Sequence, residues 1–210
     1  MAASRSRTAP RRAAPRPRAH APAPAGELRD GFRFRGGRIA LDLTASLVGR
    51  KRAQPTDLLG TPADLARWLA AAGLGPVTPP PEPADLAAAH ELREAIYRLV
   101  VDRIHHRSLA AADRSVVNRR AAQPAPAPQL TADGGQAWIG TDAPTLLAAV
   151  ARDAVALVGG EEAERLRICA ACPIVFLDTS RAGVRRWCSM LACGNRAKVR
   201  EFRERAGSDG

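Results

Sequence analysis

The sequence predicts a mainly α-helical protein with small β hairpins, in which a helical N-terminal domain precedes a compact C-terminal module. Three observations lead there. Apolar residues recur at helical spacing in segments opened by a capping residue and a proline and closed by glycine. Short extended stretches are punctuated by glycine pairs, the usual signal for tight turns. All four cysteines of the 210-residue chain fall near its end, as Cys169-x2-Cys172-x15-Cys188-x4-Cys193.

Residues 1–26 hold six arginines and no acidic residue in a background of Ala, Pro and Ser. Such a segment buries too little apolar surface to order itself, so a disordered basic tail is expected, either solubilising or in contact with nucleic acid. It lacks the apolar run of a secretory signal, and no stretch approaches the roughly 20 apolar residues of a membrane span. These features point to the cytoplasm and no membrane partner. Thiols stay reduced there, which favours metal binding over disulfides.

The helical domain is expected over residues 27–160, where 16 basic residues nearly balance 14 acidic ones. Phe32 to Leu43 reads as two short extended pieces hinged at Gly36-Gly37, the second able to turn into a helix through Leu47. Thr61-Pro62-Ala63-Asp64 supplies a cap, a first-turn proline and an acid for a helix whose face is Leu65, Trp68, Leu69 and Ala72, with Gly73 as its stop. The proline-rich linker Pro76–Pro83 leads to a long helix from about Ala84 to Ala112. Leu92, Ile96, Leu99 and Arg103 lie at helical spacing on it, and Val100 and Ile104 widen the stripe. Ser115–Arg120 adds a helical turn before Pro124, Pro126 and Pro128 bar regular structure. Gln129–Ile139 forms a hairpin around Asp133-Gly134-Gly135. Asp142 and Pro144 then open a helix with Leu147, Val150, Ala154 and Leu157 inward and Gly159-Gly160 at its end.

Nothing in this region suggests catalysis. His20 lies in the tail and His90, His105 and His106 on the long helix, where adjacent histidines diverge by about 100° and do not share a metal. No nucleophile elbow is present, and the glycine pairs are too short for a phosphate loop. A non-enzyme is expected. A small-molecule or protein effector could sit between the helices, and a homodimer is mechanically attractive although no coiled-coil repeat supports it.

The cysteine module is expected over residues 161–206. Its four thiols suit one structural Zn2+, held tetrahedrally at about 2.3 Å by Cys169, Cys172, Cys188 and Cys193. Cys169-Ala-Ala-Cys172 forms a knuckle, Ile174–Leu177 is strand-like, and the residues between the pairs allow a hairpin to return the chain. Cys193 lies near a helix start. This describes a treble-clef or ribbon-like zinc finger. With four thiolates no coordination position is open to substrate; a dithiol redox pair is the lesser alternative. Metal binding contributes ~10–16 kcal/mol to comparable fingers, more than Val175, Phe176, Trp187 and Phe202 can supply by packing, and Trp187 is placed to shield the sulfurs.

From Arg165 to Arg205 there are 10 basic residues against Asp178, Glu201 and Glu204. The candidate nucleic-acid contacts are Arg181, Arg185, Arg186, Arg196, Lys198, Arg200 and Arg203. On a helix from about Gly194, Asn195, Val199, Phe202 and Ala206 share one side, while Arg196, Arg200 and Arg203 form a stripe suited to a groove or a phosphate ladder. Double-stranded DNA is the first expectation and RNA the second. Neutralising the −2 charge of the metal site and docking on an acidic protein surface are the other uses of these cations.

Asp178-Thr-Ser-Arg181, Arg185-Arg-Trp-Cys-Ser-Met190 and Cys193-Gly-Asn-Arg196-Ala-Lys198 resemble the CGNR zinc-finger family. Gly37-Arg-Ile-Ala-Leu-Asp-Leu43, Asp64-Leu-Ala-Arg-Trp-Leu69 and Glu91-Leu-Arg-Glu-Ala-Ile96 resemble the N-terminal ABATE-type domain that accompanies it. The resemblance implies zinc at the four cysteines, a DNA-binding role for the segment around Arg185–Arg196, and a bacterial stress-induced transcription regulator. Two departures stand out. Family members place a longer insertion between the first two cysteines, whereas here Pro173 follows Cys172 directly and removes an amide that could bond to sulfur. Members also carry Asn-Thr where Leu43-Thr-Ala-Ser46 stands, which alters any ligand site built on that Asn.

Overall fold

The computed structural model describes residues 27–208; the expected basic tail, with His20, and the side chains of Phe202 and Ala206 lie outside the described residues. The chain opens with a hairpin, β1 (Glu27–Arg29) and β2 (Phe32–Phe34), turned by Asp30 and Gly31 at φ of 46° and 81°. Two positive-φ residues in a two-residue turn match the right-handed twist of the strands. The expected hinge at Gly36-Gly37 is therefore displaced to Asp30-Gly31. Gly36 serves a different need, because a Cβ there would lie 2.5 Å from the Cβ of Leu41 in the following helix.

That helix, α1 (Ile39–Thr44), stops short of Leu47. Thr44 Oγ1 and Ser46 Oγ donate to the carbonyls of Leu41 and Leu43, both at 2.7 Å, and so compete with continued helical bonding. Leu47–Val48 (β3) pairs with Thr56–Asp57 (β4) instead. In α2 (Pro62–Ala71) the expected cap is realised, with Thr61 and Asp64 each bonding the other's backbone amide. Its Trp68 stacks on Phe34 with ring centroids 6.1 Å apart.

The expected long helix ends at Ile104, short of Ala112, and the helical turn expected at Ser115–Arg120 lies within a second, longer helix. α3 (Pro83–Ile104) ends where His106 adopts φ of 51° and Arg107 N–H reaches back to the Asp102 carbonyl at 2.9 Å. That six-to-one bond satisfies the last carbonyls in the manner usually left to glycine, so no residue in His105-His106-Arg107 signalled the stop. α4 (Ala111–Ala121) follows, tied to α3 by Arg98 and Asp113 at 2.6 Å. β5 (Ala127–Leu130) and β6 (Gln136–Ile139) form the expected hairpin, though β5 includes Pro128, which a two-stranded ribbon tolerates where no third strand needs its amide.

α5 (Ala143–Gly159) is capped by Asp142, whose carboxylate accepts from Thr145 N–H at 2.9 Å. It is buried around most of its circumference, with Leu146, Leu147, Val150, Ala151 and Ala154 inside, and packs on α1, α3 and α4. A 3-10 turn at Glu161–Arg165 leads to β7 (Leu166–Ile168), β8 (Val175–Leu177), a π turn at Met190–Gly194 and α6 (Asn195–Ser208). Leu166, Val175 and Leu177 belong to the same apolar core as α1 to α5, so the C-terminal hairpin is mounted on the helical body rather than tethered to it. Among the described residues, no helix is long and apolar enough to cross a membrane.

Candidate metal centre and its basic surround

β7 and β8 pair with Leu166 opposite Leu177 and Ile168 opposite Val175. Their connection is the cysteine knuckle itself, closed by Cys169 N–H to the Ile174 carbonyl at 3.0 Å. The hairpin thus encloses the first pair, where the sequence suggested one between the pairs. The fourth cysteine arrives on the turn into α6, giving the treble-clef rather than the ribbon arrangement.

The four sulfurs lie within 4.8 Å of one another. Three of their separations are 3.7 Å for Cys172–Cys188, 3.8 Å for Cys188–Cys193 and 3.6 Å for Cys193–Cys172. A tetrahedron with metal–sulfur bonds of ~2.3 Å has edges of about 3.8 Å, so the donor set has the dimensions of a zinc tetrathiolate. The thiols also perturb one another. Hydrogen bonds from Cys172 and Cys188 pull the Cys169 thiol well below its ordinary range, while Cys169 and burial push Cys172 up to about 12, and Cys169 and Cys172 push Cys188 higher still. A divalent cation at the centre removes that conflict, since all four then ionise.

Backbone amides complete the knuckle. Those of Ala171 and Cys188 face the Cys169 sulfur, and that of Ile174 faces Cys172. Within the knuckle each bonding amide stands two residues past its sulfur, so the amide missing at Pro173 falls where none is needed. Around the metal site, Ala45 of the helical body joins Cys169, Ile174, Phe176, Cys188 and Cys193 in a second buried cluster, and Trp187 packs against it as the expected shield.

The loop between the pairs is built on Asp178, which is fully buried. One oxygen accepts from the Ser180 amide at 2.9 Å and hydroxyl at 2.5 Å; the other accepts from the Arg185 amide at 2.8 Å. Burial opposes ionisation, but these bonds outweigh it and hold the carboxyl below its usual range. Arg165 donates to the Asp178 and Ser180 carbonyls at 2.9 and 3.1 Å, fastening the loop to the end of the 3-10 turn. The buried Ser189 shapes the π turn: its hydroxyl accepts from Ala192 N–H at 3.2 Å and its carbonyl from the amides of Cys193 and Gly194 at 2.9 and 3.0 Å. Sequence reasoning passed over Ser189, Arg165 and Ala45. Only Ser189 carried a local signal, that of a helix-capping residue.

The predicted basic residues divide into two groups. Arg185 points inward, donating to the Trp187 carbonyl at 2.9 Å and to that of Cys188, with its guanidinium 5.1 Å from the Phe176 ring centroid. Arg196 is exposed on the surface but turns back to the metal site, donating to the Cys193 sulfur at 3.3 Å and the Ala192 carbonyl at 3.1 Å. Arg181, Arg186, Lys198, Arg200 and Arg203 are exposed. Arg186 lies over Trp187 at 5.1 Å, and Arg200 pairs loosely with Glu204 at 3.6 Å. Among the described side chains of α6, Ala197 is buried, while Asn195 and Val199 are exposed.

Hairpin, knuckle, buried tetrathiolate and following helix define a zinc finger with one structural zinc, and the CGNR zinc-finger model matches residues 165–206. The ABATE model, described as a putative stress-induced transcription regulator, matches residues 37–161. The chain belongs to the ABATE family and carries a CGNR zinc finger. No curated protein matches it.

Proposed function

We propose that this protein is a non-enzymatic, DNA-binding transcriptional regulator whose zinc centre fixes a basic helix against the duplex. The observation that carries this reading is the division among the cations. Arg196 serves the sulfurs, but Arg203 stands about 10 Å further along α6, too far to be needed there. Arg200 and Arg203 lead away from the metal on one side of an exposed helix, Lys198 lies on its other flank, and Arg181 and Arg186 are exposed in the loop between the cysteine pairs. Four thiolates fill the zinc coordination sphere, which supports a scaffolding and not a catalytic role. The helical body, in this reading, receives the effector or second subunit that regulates binding.

Fluorescence anisotropy on duplexes across a salt series tests the proposal. Each phosphate contact steepens the log–log salt slope by about 0.9, so replacing Lys198, Arg200 and Arg203 together with Ala flattens it by up to roughly 3 units. Binding unchanged by that triple replacement sinks this face. Competition among duplex DNA, hairpin RNA and single strands decides the class of nucleic acid, and tight capture by hairpin RNA alone replaces DNA with RNA.

A further inference from the structure

The outer face of α6 carries a feature that charge alone does not require. Leu191, Asn195 and Val199 recur every four residues, and all three are exposed, Leu191 at 83% and Val199 at 50% of their surface. The π turn sets this row: Asn195 N–H bonds to the Met190 carbonyl, five residues back, and Gly194 N–H to that of Ser189. Ala197 and Cys193, on the opposite side, are buried, Cys193 among the cysteines of the finger. Apolar side chains presented this way at the start of a helix, flanked by Lys198, Arg200 and Arg203, call for a partner that is both anionic and apolar in places.

We infer that this row reads base edges in the major groove of duplex DNA, with Asn195 recognising an adenine and Val199 a nearby thymine methyl. The inference rests on the proposed function and adds sequence recognition to it. The major groove, about 12 Å wide, admits a helix of 10–12 Å diameter. It exposes the two groups that match this row: adenine offers an N7 acceptor and N6 donor to a bidentate amide, and thymine offers its C5 methyl to an aliphatic side chain. Asn195 and Val199 are separated by about 6 Å along the helix axis, and duplex base pairs by ~3.4 Å, so the two bases fall within two steps. The flanking cations meet phosphates on the groove walls and set the helix register. Arg196, the residue next to Asn195, is held at the Cys193 sulfur and leaves the floor of the groove to the amide.

The full chain with zinc bound is used to select duplexes from a randomised pool, and the recovered site is tested by paired changes in protein and DNA. Replacing the selected adenine by 7-deazaadenine weakens the wild-type protein roughly five- to 100-fold, yet leaves Asn195→Ala nearly unaffected. Thymine to uracil, which deletes only the methyl, weakens wild type but not Val199→Ala. Both residues are exposed, and a zinc stoichiometry unchanged in each variant confirms folding. Salt-dependent binding without sequence preference, or a preference that survives both replacements, overturns the inference and leaves phosphate contact standing. No salt-dependent binding to any duplex overturns the inference and the proposed function together.

Discussion

The helical body and the finger are built on opposite principles, and one strand belongs to both. The body buries Trp68, Phe34 and a set of leucines from α1, α2, α3 and α5, joined by Val117 of α4. The finger cluster is small, with Ala45, Ile174 and Phe176 beside three buried cysteines. β8 joins them by alternation: Val175 and Leu177 enter the body core and Phe176 turns to the cysteines. A hydrogen bond from Leu177 N–H to the Gly36 carbonyl, 2.8 Å long, reinforces the seam. The difference teaches that the metal is needed for only part of the finger. Apolar burial holds the hairpin and Asp178 and Arg165 hold the loop directly after it, whereas the segment that carries Cys188 and Cys193 into α6 is expected to depend on zinc.

The largest effect should come from removing the metal. Chelation, or Cys193→Ser, withdraws folding free energy on the order of 10 kcal/mol from the segment the sulfurs close. Hydrogen exchange should then show residues 186–200 fully open while α3, α5 and the β7–β8 hairpin keep their protection. Persistent protection at 186–200 would show that the loop stands without zinc.

Two neighbouring truncations sharpen the division. Phe176→Ala should cost about 3–5 kcal/mol and appear chiefly as weakened zinc retention. Val175→Ala should cost about 2 kcal/mol and appear as a lower denaturation midpoint of the body with zinc retention unchanged. Equal movement of both readouts in both variants would remove the two-faced role of β8.

The regions also differ in the sign of their response to pH. Asp42, in α1, accepts from the Gly36 amide at 2.7 Å but is almost wholly buried. Burial dominates over that bond and the attraction of Arg29, and nearby Asp153 adds repulsion, so its carboxyl is pushed up to about 8. A raised carboxyl contributes stability that is full below the unfolded value near 4 and lost as pH rises towards 8, at ~1.4 kcal/mol per pH unit. Asp178 is shifted down, so its contribution is present above pH ~4 and lost on acidification below that. Denaturation curves of the whole chain should weaken from pH 5 to 8, a trend that Asp42→Asn abolishes. Asp178→Asn should leave that trend intact and instead loosen the 178–185 loop at neutral pH.

The smallest effects separate the two groups of arginines. Arg196→Ala should speed zinc transfer to a chelator by about 10- to 100-fold, as expected when a hydrogen bond to a ligand is lost. Arg200→Ala or Arg203→Ala should change neither zinc transfer nor stability beyond ~0.5 kcal/mol. If Arg200→Ala matched Arg196→Ala in zinc loss, the inward and outward groups would be one.

Much of the body was legible because its signals are local. Thr61-Pro62-Ala63-Asp64 and Asp142-Ala-Pro144 cap the helices they were expected to cap, since caps act through atoms a few residues away. The break between α3 and α4 was expected after Ala112 and comes at Ile104, because His106 takes a conformation whose usual residue is glycine. The first hairpin was misplaced because two turn signals, Asp30-Gly31 and Gly36-Gly37, stand close together. Strand pairing chose the first, and the approach of α1 claimed the second.

The metal centre followed from spacing alone, since four thiols separated by 2, 15 and 4 residues can close on one tetrahedral ion whatever fold surrounds them. Which cations face the sulfurs and which face solvent did not follow from it. That assignment turned on the π turn, the buried Ser189 and Asp178, and the packing of Phe176. A guanidinium reaches for whichever carbonyl, sulfur or phosphate the chain places near it, and only the assembled loop and helix put Arg196 beside a thiolate and Arg203 beyond its reach.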